Sequence, residues 1–123
     1  MLAHKRTQRG IITAKRGDTL RSVIGLLKEH GISQIPVMDR GRLSGLVSEI
    51  DLLNYLLKNP GSMDVPVDEL VEADYATVTP QTKIKLLKNI FNEAKLVCVL
   101  ERDDLIGVIS KIDLIEYLAS KRA

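Results

Sequence analysis

Apolar positions follow two different periods along this chain. Leu20, Val23, Ile24 and Leu27 recur at the spacing that places side chains on one face of a helix. Elsewhere the apolar residues form short continuous runs bounded by turn residues, which is typical of buried strands. These runs cover residues 35–38, 43–47, 96–100 and 105–109. Helical and strand patterns alternate, so the sequence predicts an α/β fold.

The second half of the chain repeats the order of the first. Residues Gly45–Leu52 match Gly107–Leu114 position by position, including the Gly, the Ser and the Asp. A repeat of this kind indicates two copies of one structural unit. We expect strand–helix–strand–strand–helix units at residues 11–57 and 77–123. The segment 58–76 connects them and holds a short helix around 67–70, and residues 1–10 form a basic lead-in.

Turn and cap residues suggest where the elements begin and end. Ile11–Ala14 and Val78–Thr79 are predicted as the first strands of the two units. Asp18 or Thr19 is expected to cap the first helix, and Thr82 the corresponding helix of the second unit. Gly31 fits the left-handed position that follows a helix.

Composition narrows the class of protein. Hydrophobic residues make up 45% of the chain and charged residues 28%, as in ordinary globular domains. The net charge of +2 does not by itself indicate nucleic acid. The cations that precede Asp18 leave open either a solvated lead-in or an arm that binds nucleic acid or an acidic partner. No signal peptide or membrane-length apolar run is visible, so we expect a cytoplasmic protein.

Few residues offer catalytic or metal-binding chemistry. Cys98 is the single cysteine and lies in an apolar run, which favours a role as core filler. His4 and His30 have neither the spacing of metal ligands nor that of a catalytic triad. We therefore expect no catalytic residues, no metal and no enzyme activity.

The repeated Ser-x-x-Asp has two interpretations. Ser48 with Asp51 and Ser110 with Asp113 each follow a predicted strand directly, at the start of a helix. The serine could accept from the helix amides while the aspartate reaches back, which is a capping box. Alternatively, an ionised aspartate could accept hydrogen bonds from the two adjacent hydroxyls of a ribose. Both interpretations remain open for either copy.

The two halves, each ending in Gly-apolar-apolar-Ser-x-x-Asp-Leu, together resemble a tandem CBS-domain module, also called a Bateman module. The resemblance covers about residues 11–118. It implies two β-α-β-β-α units, related by a pseudo-twofold axis and packed into one compact body. It also implies a non-catalytic regulatory module that binds an adenosyl effector, such as AMP, ATP or S-adenosylmethionine, between the units and controls a partner domain.

A narrower resemblance points to the C-terminal regulatory region of cystathionine β-synthases. It is carried by Gly31–Val37, Val67–Leu70 and Ile109–Leu114. Those enzymes have a pyridoxal-phosphate catalytic domain that does not occur in these residues. The resemblance implies a regulatory fragment or a stand-alone relative, with residues 1–10 as the remnant of a linker.

The family resemblance also implies two clefts, each drawing residues from both units. Cleft A combines a wall in the first unit with the second Ser-x-x-Asp: Thr13, Ile32, Gln34, Ile35, Pro36, Ser110, Lys111 and Asp113. Cleft B combines a wall in the second unit with the first Ser-x-x-Asp: Thr77, Thr79, Val97, Cys98, Ser48 and Asp51.

Cleft A is the preferred site. Lys111 follows Ser110 and could attract a phosphate, whereas Glu49 follows Ser48 and would repel one. Cleft A also has Pro36 in its wall where cleft B has Cys98.

Three other functions remain as alternatives. The first is a structural dimerisation module with empty clefts, the second a nucleic-acid-binding accessory domain, and the least favoured an enzyme. In every case we expect a homodimer through the closing helices, because those helices carry many apolar residues. These are Leu52, Leu53, Leu56, Leu114, Ile115 and Leu118.

Overall fold

The computed structural model describes residues 11–121, and the predicted basic linker at residues 1–10 lies outside them. The described residues divide into two compact units, one spanning 12–73 and the other starting at Asp74. Each unit has a three-stranded sheet and two α-helices. The predicted α/β class and the β-α-β-β-α order of both units are confirmed.

The first unit contains one short strand, a hairpin and two helices. β1 pairs in parallel with β2, and β2 pairs antiparallel with β3. A 3-10 helix, Val67–Leu70, follows in the predicted connecting segment. The elements are β1 Ala14–Lys15, α1 Leu20–His30, β2 Gln34–Asp39, β3 Arg42–Ser48 and α2 Glu49–Lys58.

The second unit repeats this topology. β4 pairs in parallel with β5, and β5 pairs antiparallel with β6. The elements are β4 Tyr75–Val78, α3 Ile84–Ile90, β5 Leu96–Glu101, β6 Asp104–Ile109 and α4 Lys111–Ser120.

Each sheet packs one face against the helices of its own unit. In the first unit Ile35 and Val37 of β2 contact the apolar stripe of α1 and are fully buried. In the second unit Val97 and Val99 of β5 contact α3 and α4 in the same way. Burying one such side chain contributes roughly 1.5–3 kcal/mol. The side chains between them in sequence, Pro36 and Cys98, point to the opposite face of each sheet.

The connecting segment closes the free edge of β3. Leu46 exchanges two backbone hydrogen bonds with Glu72, at 2.9 Å each. This close approach requires glycine at position 45, because a Cβ there would lie 2.5 Å from Val71 Cγ1 and 2.6 Å from the Glu72 carbonyl oxygen.

The starts of the two units differ from the sequence-based expectation. β1 begins at Ala14 and not at Ile11, whereas β4 covers Tyr75–Val78 and so begins before the predicted Val78–Thr79. The parallel pairing explains these positions. β1 extends only as far as its residues pair with β2, and this pairing begins at Ala14. The pairing between β4 and β5 begins earlier than predicted, at Tyr75.

Helix capping also differs between the units. Thr19 caps α1, and its side chain accepts from the Ser22 amide at 3.1 Å. The predicted cap at Thr82 is wrong. Its hydroxyl accepts from the Thr79 amide at 3.2 Å and closes the turn before the helix. α3 therefore begins one residue later, after Lys83, whose side chain makes no cap hydrogen bond.

The end of α1 agrees with the expectation for Gly31. This residue adopts the left-handed conformation with φ 61°, and its amide donates to the Leu27 carbonyl. Among the helices that the structure describes, none is both long enough and apolar enough to cross a membrane.

Candidate ligand sites

Ser110 and Asp113 form a complete cap at the start of α4. The Asp113 amide donates to Ser110 Oγ at 3.3 Å, and the Ser110 amide donates to Asp113 Oδ2 at 2.9 Å. Asp113 is buried, with 9% of its surface exposed. The position of this pair is fixed by β6, because Ser110 directly follows the strand and is the N-cap of α4.

Ser48 and Asp51 occupy the same place at the start of α2. The Asp51 amide donates to Ser48 Oγ at 3.4 Å, and the Ser48 hydroxyl donates to Asp51 Oδ2 at 2.8 Å. Ser48 is also the last residue of β3 and pairs in register with Gln34 of β2. Its side chain is buried, whereas Asp51 is partly exposed.

Both copies of Ser-x-x-Asp are therefore helix caps, as one of the two sequence interpretations predicted. A cap does not exhaust the hydrogen-bonding capacity of the motif, because a carboxylate offers about four acceptor positions. The positive end of the helix dipole also favours negative charge beside each cap. The arrangement can accept donors such as hydroxyls close to the amides of a helix N-terminus.

The predicted wall of cleft A lies along the end of α1 and the start of β2. Thr13 is partly buried and lies beside Pro36, because Ala14 pairs with Val37 in the parallel ladder. Ile35 is fully buried in the core of its own unit, so a ligand could reach only its backbone. Gln34, opposite Ser48, is partly exposed.

Ile32 is the wall residue between α1 and β2. Its amide donates to the Leu27 carbonyl at 3.1 Å, and its side chain is partly buried against the core. The next carbonyl, that of Ser33, accepts from the Glu49 amide at 2.9 Å. The wall segment is thereby hydrogen-bonded to both helices of the first unit.

The predicted wall of cleft B has two buried strand residues, as the wall of cleft A has in Ile35 and Pro36. Val97 lies in the core of the second unit, and Cys98 is fully buried on the other face of β5. Burial raises the pKa of the Cys98 thiol to about 12. Thr77 is exposed and pairs with Cys98 across the ladder, and Thr79 is held in the turn with Thr82.

Pro36 and Cys98 occupy equivalent positions, as the repeat predicted. Each lies in the middle strand of its sheet, where Pro36 is opposite Leu46 and Cys98 is opposite Val108. The wall of cleft A is thus built on an imino acid without an amide donor, and the wall of cleft B on a small thiol.

The predicted repulsion between Glu49 and a phosphate beside Ser48 stays a prediction. The side chain of Glu49 lines a groove between α1 and α2, together with Lys28. The groove has a volume of about 380 Å³ and lies entirely within the first unit. Lys111 is exposed on α4, and its contact with a phosphate stays a prediction.

The apolar residues predicted to pair the closing helices divide into two groups. Leu52 and Leu114 are buried in the cores of their own units, and Leu56 packs against the core of the first. Their packing lies mainly within their own units, and their part in the predicted interface stays a prediction. The sequence pattern missed three residues that are exposed instead. The exposed apolar residues of the two helices are Ile50, Leu53, Leu57, Ile112, Ile115 and Leu118.

Each predicted cleft would take residues from both units, so the meeting of Ser110 and Asp113 with Thr13 and Gln34 stays a prediction. Within residues 11–121, no group of three or more His, Cys, Asp or Glu side chains is arranged to hold a metal ion.

The comparisons with known proteins agree on a family. The profile of the CBS domain matches residues 7–58 and again 67–120. An A-adding tRNA nucleotidyltransferase of Geobacter sulfurreducens is 27% identical over 88% of this chain and 12% of its own length. A cystathionine beta-synthase of Dictyostelium discoideum is 26% identical over 87% of this chain and 23% of its own length.

A solved structure supports the same conclusion. A CBS-domain protein from Burkholderia ambifaria MC40-6 superimposes with a TM-score of 0.82 and 28% identity, over 94% of this chain and 88% of that chain. This chain spans less than a quarter of the two enzymes above and nearly all of the structural relative. The chain belongs to the CBS-domain family and carries two copies of the domain.

Proposed function

We propose that this chain binds an adenosyl compound in cleft A and thereby controls a partner domain. The observation that carries the proposal is the capped Asp113, a buried carboxylate at the N-terminus of a helix that directly follows a strand. A ribose presents two neighbouring hydroxyl donors, and this carboxylate is a suitable acceptor for them. The helix end adds a favourable field for a phosphate.

The adenine would lie against the segment that includes Ile32, Gln34 and Pro36. The backbone there could read the edge of the base, since the side chain of Ile35 is committed to the core. Pro36 has no amide donor, and its side chain is fully buried, so its contact with the base requires a local opening of the wall. Thr13, beside Pro36, offers a hydroxyl at the rim.

Control of a partner would follow from a shift between two arrangements of the units. A ligand that contacts both units favours the arrangement in which both halves of the cleft fit it. Such coupling is reciprocal, so the partner domain would in turn change the affinity for the ligand. The chain itself would need no catalytic residue for this role.

Cystathionine β-synthase is the first candidate for the regulated enzyme. The support is the relative of that name, together with the three segments that resemble its regulatory region. A tRNA nucleotidyltransferase matches the same part of this chain at similar identity, so the likeness does not single out one enzyme. We therefore propose that the regulated partner is the catalytic domain of one of these two enzymes, either attached to this chain or separate from it.

Calorimetric titration against AMP, ADP, ATP and S-adenosylmethionine tests the proposal. One carboxylate, one hydroxyl and an apolar wall should give micromolar affinity, about −7 to −8 kcal/mol. At a hundredfold excess over the dissociation constant, the ligand should stabilise the fold by about 2.7 kcal/mol. No heat and no thermal shift with any of the four compounds at millimolar concentration would refute adenosyl binding.

Paired variants then identify the cleft. Asp113→Ala should weaken binding by about thirty- to a hundredfold, because two hydroxyl donors lose their acceptor. Asp51→Ala is the matched control, since it removes the equivalent capping acid from α2. Both variants should lose about 0.5–1 kcal/mol of unfolding free energy without ligand. A larger loss of affinity in Asp51→Ala would place the ligand in cleft B.

A structural module with empty clefts is the second candidate. It is favoured by the same hydrogen bonds, because capping alone explains why each helix begins with Ser-x-x-Asp. On that account neither aspartate variant has any affinity to lose, and both change stability only.

A further inference from the structure

The first helix of the second unit, α3, presents lysines to solvent and no acid. Lys83, Lys85 and Lys88 are exposed, and residues 75–92 contain neither Asp nor Glu. Within the part of the chain that the structure describes, none of the three lysines forms an ion pair. In α1, by contrast, Arg21 Nε lies 3.1 Å from Asp64 Oδ1. The charge of α3 is thus uncompensated, and the potential over its exposed face is positive.

An apolar side chain lies among these lysines. Leu86 has 48% of its surface exposed, whereas its neighbour Leu87 is buried in the core of the second unit. Lys85 and Leu86 both precede Asn89 by one helical turn, so the three side chains share one face of the helix. The exposed face of α3 therefore combines an apolar centre with cations beside it.

The lysines lie where they oppose the formation of the helix. Lys83 is the N-cap of α3 and makes no side-chain cap hydrogen bond, and the first turn contains no acidic residue. Cations at this end are unfavourable, because the N-terminal end of the helix dipole is positive. Residues that break such a local rule without a gain inside the fold are expected at functional positions. Negative charge supplied from outside would offset the repulsion.

We propose that the exposed face of α3, with Lys83, Lys85, Leu86 and Lys88, binds an acidic segment of a partner protein. An apolar side chain of that segment would lie on Leu86, and its carboxylates would lie beside the lysines. Protein interfaces combine an apolar centre with a polar rim in this way. This docking does not depend on an adenosyl ligand, so it can hold even if both clefts are empty.

Nucleic acid fits the same face less well. A phosphate backbone would neutralise the lysines, but it has no apolar counterpart for Leu86. Binding of unpaired bases also relies on exposed aromatic rings. Phe91, the aromatic residue that follows α3, is buried.

Fluorescence anisotropy with a labelled peptide, in which glutamates flank one central leucine, tests the proposal on the full chain. Replacing the three lysines by Gln should weaken binding about tenfold at low ionic strength, because the attraction to the carboxylates is lost. The same replacement should raise the temperature of unfolding, since it removes cations from the start of α3. A purely structural role of the lysines would not give this combination of weaker binding and higher stability.

Three exposed lysines of the first unit provide the matched control. Lys15→Gln, Lys28→Gln and Lys58→Gln together remove the same charge from elements other than α3. This control should bind the peptide within about twofold of the native chain, because its lysines are screened from the site by salt. Circular dichroism confirms that both triple variants fold.

Leu86→Ser tests the apolar part of the contact. It should weaken binding of the leucine peptide about fivefold and leave unchanged the binding of a peptide with serine in place of the leucine. Equal losses in the two triple variants would overturn the proposal, as would a native chain that does not bind the peptide at millimolar concentration. An unchanged affinity in Leu86→Ser, or tighter binding of a labelled single-stranded RNA than of the peptide, would overturn the acidic protein segment as the occupant.

Discussion

The two units share one topology but differ in the connection between their first helix and the sheet. In the first unit α1 has eleven residues and ends in a left-handed glycine, and only residues 31–33 separate it from β2. In the second unit α3 has seven residues, and residues 91–95 separate it from β5.

The difference shows which parts of the unit determine its architecture. The hairpin and the capped closing helix keep the same spacing in both copies, from Gly45 to Leu52 and from Gly107 to Leu114. The change of length falls between helix and strand, where it alters no pairing in the sheet. The Ser-x-x-Asp pairs consequently keep the same position at the start of α2 and α4.

The same difference affects the two predicted walls. The residues before the middle strand are Ile32 and Ser33 in the first unit and Ala94 and Lys95 in the second. The amide of Lys95 donates to the Asp74 carbonyl at 3.0 Å, and its ammonium lies 3.8 Å from the carboxylate of the same residue. The second wall thus begins with a small side chain and a charge pair, whereas the first begins with the apolar Ile32, which is a physical reason to prefer cleft A for an adenine.

The largest expected effect concerns the edge of the first sheet. Gly45→Ala should lower the unfolding free energy by about 3 kcal/mol, because the new methyl group collides with the Glu72 backbone and that segment must shift. Chemical denaturation measures the loss. Gly25→Ala is the matched control: a Cβ there meets nothing within 4 Å, so it should stabilise α1 by about 0.5–1 kcal/mol. Equal effects in both variants would contradict the described edge contact.

The second effect distinguishes Cys98 from the equivalent Pro36, which does not titrate. The thiol has a pKa of about 12 in the folded chain against 9.0 in the reference state. Between these values the unfolded chain has released the proton and the folded chain still holds it. Stability therefore falls as pH rises above about 9, by up to about 1.4 kcal/mol per pH unit.

Comparing Cys98→Ala with the native chain tests this pH dependence. Other groups titrate in the same range, so the informative quantity is the difference between the two slopes of unfolding free energy against pH. The native slope should be steeper between about pH 9 and 11. Parallel curves, or rapid reaction of the folded thiol with a disulfide reagent, would mean that Cys98 is accessible.

The smallest effects concern the caps of the first helices. Thr19→Ala should cost about 1 kcal/mol, because the Ser22 amide loses its acceptor. Lys83→Thr introduces the missing cap and removes a cation from the start of α3, so it should stabilise by about 0.5–1 kcal/mol. Thermal unfolding of the two variants checks the opposite signs, and a loss in both would show that α3 does not begin at Ile84.

Much of the fold could be predicted because the repeat specified it twice. The apolar runs identified the middle and outer strands, and Gly31 and the closing helices followed from local rules. The first strands and the cap at Thr82 could not be placed in this way, because they depend on pairing with β5 and on a turn hydrogen bond. The strand pattern also could not show that Ile35 faces the core and Pro36 the other side, since both are apolar.

The candidate sites were less accessible to sequence reasoning. The pattern selected Ser110 and Asp113 but could not distinguish a cap from a ligand contact, because the two uses require the same residues. The pattern also could not show that Glu49 lines the groove between α1 and α2. A position in the first turn of a helix does not indicate which neighbouring element the side chain contacts.

The most direct test of the central claim is the amide NMR spectrum of the chain during titration with AMP, ATP or S-adenosylmethionine. The account predicts that one ligand shifts the amides of Ser110 and Asp113 together with those of Thr13, Ile32 and Gln34, in one saturable step. The equivalent amides of Ser48, Asp51 and Thr77 should change little at the same concentrations. Shifts confined to that second set would contradict the choice of cleft A, and an unchanged spectrum with every ligand would contradict adenosyl binding.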